Sequence, residues 1–241
     1  MAFLHLIDAV KRRLHRDIVA DPVLHARVLN LYLCGEAYPH AVDDYFPVEH
    51  VECPELAAMM RTHMQEEDKH IALYAKAIRM LGCEVLDLGD EAIFNAVIRS
   101  HTPSPWRVEP GMDRDARNDR IANFLAHAHY LEKRVAHSLA IHQEACAHSP
   151  SPYPGKAVAA VLADERRHVA YTFDAVHDLV PRQRAIDILA EHQRAEHRAN
   201  LDFSARTLLR LTREEAAHWP LGRRPFFGAC AWAMRGMLVG A

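Results

Sequence analysis

The chain has 241 residues, 50% apolar and 25% charged, with a formal charge of −3 when the histidines are neutral. That is the balance of a soluble globular protein of one or two domains, and it carries no global basic field for nucleic acid. Five cysteines without a C-x-x-C pair exclude a disulfide framework, an iron-sulfur module and a zinc ribbon, and suit a reduced cytoplasm.

From Met1 to Arg13 the charge follows the apolar residues and no cleavage site appears, so this start is an amphipathic helix rather than a signal peptide. No segment offers the roughly 20 uninterrupted apolar residues that a bilayer span needs. Asp21-Pro22 is an N-cap followed by proline at the first helical position, and apolar residues then recur at helical spacing to about Phe46, with Glu36 near the middle. Pro39 removes a hydrogen bond to Gly35, at a cost of about 3 kcal/mol in a helix interior. It either kinks or bulges this helix beside Glu36, or ends it with Glu36 in the last turn.

Pro47 to Pro54 makes a turn, and a second helix runs from about Glu55 to Met80, stopped by Gly82, with Glu67 and His70 central. Glu36 precedes the turn by about 15 Å of helix and Glu67 follows it by about 18 Å, so antiparallel packing would bring them level. Between Cys83 and Asp113, Gly89, Pro103, Pro105 and Pro110-Gly111 surround one short helix near Glu91 to Arg99, which suits a long crossover. A third helix spans about Arg114 to Ala147. The proline-rich run Ser149 to Gly155 separates it from a fourth, Lys156 to Leu179, which Pro181 terminates.

A fifth helix, about Gln183 to Leu211, is strongly charged and is expected to pack outside the core. The tail from Trp219 to Ala241 mixes Arg223, Arg224 and Arg235 with Phe226, Phe227, Trp232, Met234 and Met237. Its apolar side needs cover from the domain, a second subunit or a membrane surface. The expected architecture is all-α: one domain over 1-241, with a four-helix core at about 22-180 and a helical extension at about 181-241.

Two Glu-x-x-His pairs, Glu67 with His70 and Glu165 with His168, follow the lone glutamates Glu36 and Glu132 by 31 and 33 residues. With 16 glutamates and 18 histidines, about one such pair should arise by chance. The chain has a third, Glu215 with His218, but no carboxylate stands 31 to 33 residues before it. The repeat therefore carries the information.

Positions i and i+3 share a helix face, so each pair can bind one metal or two adjacent metals without bending the backbone. Four carboxylates against two divalent ions make a nearly neutral cluster whose hard oxygen donors suit iron or manganese better than zinc or copper. Without metal, four glutamates in a core would cost several kcal/mol each or stay protonated.

Glutamate, Glu-x-x-His, glutamate, Glu-x-x-His across two helix pairs resembles the ferritin-like di-iron carboxylate superfamily, over roughly residues 22 to 180. The string Asp164-Glu165-Arg166-Arg167-His168 is similar to the Asp-Glu-x-Arg-His motif of bacterial multicomponent monooxygenase hydroxylases. Glu66-Glu67-Asp68-Lys69-His70 departs from it by Glu for Asp and Lys for Arg. The resemblance implies metal ligation by Glu36, Glu67, His70, Glu132, Glu165 and His168. It also implies that Asp164 orients His70 and that Glu66 orients His168.

The resemblance further implies a ferritin-like four-helix bundle holding two Fe ions, or Mn or a mixed Mn/Fe pair. The expected activity is that of a non-haem oxidase or oxygenase using O2 on a small organic substrate. With no rubredoxin-like or flavin motif in the chain, a separate reductase or ferredoxin would supply electrons. A homodimer and peripheral membrane contact are the further partner expectations. Competing readings are a ferroxidase or iron-handling protein, a tRNA-nucleoside or quinone hydroxylase of the same superfamily, and a metal-free helical interaction protein with solvated glutamates.

His129 and His63, three residues before Glu132 and four before Glu67, are either cavity-facing ligands or proton shuttles, or members of a large exposed histidine population. His192, Glu196 and His197 are expected on a solvated face. Tyr32, Tyr38, Tyr74 and Tyr171 are expected to be core or surface residues.

Overall fold

A computed structural model describes residues 2–42, 45–102 and 105–239, with side chains placed from residue 8 to residue 238. Pro103, one of the expected crossover breakers, and the last residues of the tail, Gly240 and Ala241, lie outside the described residues. Among the described residues all regular structure is helical. The α-helices are α1 (Ala2–Val19), α2 (Pro22–Ala37), α3 (Pro54–Met80), α4 (Phe94–His101), α5 (Arg114–Cys146), α6 (Pro152–Leu179), α7 (Arg182–Glu214) and α8 (Arg223–Val239).

Local chemistry sets the ends. Asp21 Oδ1 accepts from the backbone N–H of Val23 at 2.8 Å and Leu24 at 3.1 Å, which satisfies two of the orphan donors opening α2. Asp113 does the same for α5 through Ala116. Gly82, at φ 76°, takes the left-handed turn that ends α3.

α2 stops at Ala37 rather than continuing to Phe46, and a 3-10 turn, Tyr38–Ala41, follows with Pro39 inside it. The missing N–H of Pro39 ends the helix instead of kinking it, so Glu36 is in the last turn and not near the middle. α6 begins at Pro152, earlier than Lys156, because proline is tolerated in a first turn where the N–H is unpaired anyway.

α2 packs on α3 and α5 on α6, and the two pairs meet through α3 and α6. The crossover carries α4, which lies against α7. Buried positions recur at alternating steps of three and four: Met60, His63, Glu67, His70, Tyr74 and Ala77 on α3; Val158, Val161, Glu165, His168, Thr172 and Ala175 on α6. The apolar members, with Leu29, Phe124, Leu125, Leu139 and Ile78, form the main core. Each fully buried large side chain contributes about 2 kcal/mol.

A second core joins Ile18, Leu24, Val28, Ala205, Leu208, Leu211, Trp219, Phe227, Ala231 and Met234, so the chain itself covers the apolar side of the tail. Phe226 and Trp232 remain exposed. α7 packs outside the two helix pairs, but His192 and Glu196 are buried rather than on a solvated face. His192 faces Asn123 at 3.2 Å, and Glu196 accepts from Arg134 at 2.5 Å; only His197 of that trio is exposed. No helix among the described residues is long and apolar enough to cross a membrane.

Candidate metal centre

Four helices bring carboxylates to one buried point. α2 supplies Glu36, α3 Glu67 and His70, α5 Glu132, and α6 Glu165 and His168, all at most 7% exposed. Glu36, Glu67, His70 and Glu165 each offer a ligand-type atom within 4.8 Å of the others, and Glu132, Glu165 and His168 make a second such group. Glu165 belongs to both. Glu67 joins a third group with His63 and His168.

The two histidines are oriented alike. His70 turns Nδ1 inward, 3.4 Å from Glu36 Oε2 and 3.6 Å from Glu165 Oε1, while its Nε2 lies 3.2 Å from Asp164 Oδ2. His168 turns Nδ1 toward Glu165 Oε2 at 3.1 Å and Glu67 Oε1 at 4.0 Å, while its Nε2 lies 2.9 Å from Glu66 Oε2. Each imidazole thus meets the acidic residue that precedes the opposite helix's glutamate. Arg167 donates to both Glu66, at 2.5 Å, and Asp164, at 2.7 Å, and Lys69 donates to Asp164 at 2.8 Å. This clamp fixes both outer nitrogens as N–H donors and leaves the inner Nδ1 lone pairs free.

The electrostatics are those of crowded carboxylates compensated only in part, by His63, whose Nε2 lies 3.0 Å from Glu67 Oε1 and 3.6 Å from Glu132 Oε1. Burial, then the charges of the neighbouring carboxylates, pushes Glu36 and Glu165 well above the usual carboxylate range. For Glu67 burial acts upward, but hydrogen bonds with His63 and Glu36 outweigh it and hold the group below its ordinary value. Asp164 is likewise lowered, its burial outweighed by Lys69, Arg167 and His70. Glu165 Oε1 is buried with no hydrogen-bond partner in the protein, and so is the hydroxyl of fully buried Tyr74, one turn beyond His70, whereas Glu67 Oε1 is met by His63 Nε2 at 3.0 Å. Two inward Nδ1 atoms, an orphaned Glu165 oxygen and carboxylates crowded within ligand distance are what cations would satisfy, so this donor set can hold metal ions.

His63 belongs to this site and not to the exposed population. It is 1% exposed, stacks on His168 with ring centroids 3.6 Å apart, places Nε2 3.0 Å from Glu67 Oε1, and bonds Tyr171 through Nδ1 at 2.7 Å. Its place in the three-four stripe of α3 is the sequence signal that marks it. His129 is also buried, but its Nδ1 is taken by the Val169 carbonyl at 3.0 Å. His218, of the third Glu-x-x-His pair, is remote from the cluster and meets the α2 cap residue Asp21 at 3.0 Å.

A cavity of about 150 Å³ reaches Glu36, Glu67 and Glu132 between α1, α2, α5 and α7. Its walls are largely apolar, with Leu14, Ile18, Leu31, Phe94, Leu131 and Phe203 among them. A separate, more polar opening beside Pro39, His40, Tyr45 and Phe46 also reaches Glu67. No protein-family model, curated protein or solved structure matches the chain.

Proposed function

We propose that the chain is an O2-dependent dinuclear metal oxidase or oxygenase of ferritin-like four-helix type, acting on a small, largely apolar organic molecule. The observation that carries this reading is the paired inward Nδ1 geometry of His70 and His168 amid four buried carboxylates. Glu36 and His70 would hold one ion, Glu132 and His168 the other, with Glu67 and Glu165 shared. Two iron or manganese ions bound there would supply O2 activation and a two-electron oxidant.

The protein's own residues do the rest. Asp164 and Glu66 keep each imidazole in one tautomer and one ring orientation. His63, hydrogen-bonded to Tyr171, can hold a proton at Nε2 facing Glu67. The apolar walls of the cavity exclude water from the reacting face and favour a hydrocarbon-rich substrate. That lining favours organic oxidation over iron storage. Electrons for repeated turnover would come from a separate reductase or ferredoxin.

Anaerobic Fe(II) loading followed by O2 tests the reading. The wild-type chain should bind two irons, consume O2 and develop a visible absorption. Glu67→Ala and Glu165→Ala should lose at least one iron and the absorption while keeping helical circular dichroism. Undiminished O2 uptake in both variants refutes the assignment. Iron turnover far beyond two per chain, with growth into large shells, would favour the iron-handling alternative.

A further inference from the structure

The helix stripes that hold the carboxylates continue past them. On α2 the stripe runs His25, Leu29, Tyr32, Glu36; on α5 it runs Glu132, Val135, Leu139, His142, Cys146. The antiparallel heights match: about 16 Å of α2 separates His25 from Glu36, and about 15 Å of α5 separates His142 from Glu132. A second polar layer is therefore buried beyond an apolar spacer.

In that layer the Nε2 atoms of His25 and His142 face each other at 3.0 Å, and Cys146 Sγ lies 4.0 Å from His25 Nε2. One ligand-type atom from each of the three side chains lies within 4.8 Å of the others. Both imidazoles are 0% exposed. The outer nitrogen of His142 is held by Tyr32 Oη at 3.0 Å, the arrangement that orients a metal-binding imidazole. Gly155 makes room for the thiol: a Cβ there would stand 3.0 Å from Cys146 Cβ.

We infer that His25, His142 and Cys146 form a separate mononuclear site for a d10 ion with imidazole and thiolate preference, Zn(II) or Cu(I). Two nitrogens and one sulfur are the donor types such ions select, whereas the all-carboxylate-and-imidazole cluster lacks sulfur. Burial holds His25 at about 4 and His142 well below its ordinary range, so both imidazoles are neutral at neutral pH and each has one lone-pair nitrogen to offer an ion, His25 by moving its proton to Nδ1. Cys146, pushed up to about 11 by burial, must release its thiol proton to solvent as the ion binds, so affinity should rise with pH. Cu(I) with one thiolate leaves no net charge in the layer; Zn(II) leaves one and needs a fourth donor, for which His15, its ring 4.9 Å from that of His142, is the candidate.

The test uses the full chain stripped of metal and titrated with Co(II), the spectroscopic stand-in for Zn(II), and separately with Cu(I) under anaerobic conditions against a chromogenic Cu(I) chelator. A thiolate-to-cobalt charge-transfer band should grow to the intensity of one thiolate-bound cobalt per chain, cobalt taken up by the carboxylate cluster adding nothing to it because that cluster has no sulfur. Cys146→Ser should lose the band and one bound metal per chain, and Tyr32→Phe should weaken binding by about tenfold or more. Glu67→Ala should keep the band, so this site and the dinuclear reading can fail independently. Co(II) band, Cu(I) retention and metal count all unchanged in folded Cys146→Ser would overturn the inference. Loss of either ion's binding supports it and names the ion.

Discussion

Asp164 concentrates three contacts on one carboxylate: His70, Lys69 and Arg167 all point at it. Asp164→Asn keeps its size but removes the charge that fixes His70, so metal affinity at the proposed centre should fall by about 10–100-fold with helicity unchanged. Chelator competition on the loaded protein checks this. The carboxylates also predict a pH response of the metal-free chain. Glu36 and Glu165 hold protons that the unfolded chain releases above about pH 4.3, so each costs stability as pH rises toward its raised folded value. His63 is raised too, its burial outweighed by Tyr171, Glu132 and Glu67, and its contribution is likewise lost with rising pH. His15, His25 and His142, lowered by burial, act oppositely but are complete by about pH 6.5. As pH rises above about 4.3, the metal-free melting temperature should therefore fall more steeply, or climb less, in wild type than in Glu165→Gln. Equal slopes would remove the electrostatic account.

What the sequence disclosed at this scale was local. Glu67 with His70 and Glu165 with His168 are three residues apart on one helix, so their shared face follows from helical geometry alone. His25, His142 and Cys146 passed unnoticed because their meeting needs the height match between α2 and α5, which no single stretch of chain contains.

At the scale of the element, boundaries marked by a local signal were legible, the starts at Pro22 and Arg114 and the ends at Met80 and Leu179 alike. A cap such as Asp21 acts within three residues, and Asp21→Ala should destabilise the chain by about 1 kcal/mol, with a little more from the lost His218 contact. Denaturant unfolding reads this directly, and an unchanged midpoint would mean α2 is held by packing alone. The end of α2 was ambiguous because Pro39 fits both a kink and a stop. α7 misled for another reason: its charged residues hide a buried stripe in which Glu196 is neutralised by Arg134, a partner 62 positions away.

Among the described residues the molecule has two larger cores that share α2 and α7, one around the carboxylates and one at the junction of α1, α7 and α8, beside a smaller cluster of Val97, Ile98, Leu131 and Ala199. All-helical character was plain from composition and periodicity. The second core was not, because α1, α7 and α8 come from opposite ends of the sequence. Phe227 is fully buried in that core, and Phe227→Ala should cost about 3–5 kcal/mol. Metal stoichiometry at the carboxylate site should stay at its wild-type value below the unfolding transition. If metal is lost in step with α8, the two cores are one cooperative unit.

Glu67, Glu132 and Glu165 each have at least three turns of helix on either side, whereas Glu36 has one residue of α2 left after it. Helix termini fray at little cost, and interiors do not. The two halves of the proposed centre are therefore unequal in lability. Release into a scavenger should be biphasic, with the ion on the Glu36 side departing first. Extending α2 by Pro39→Ala should slow that early phase without altering the later one.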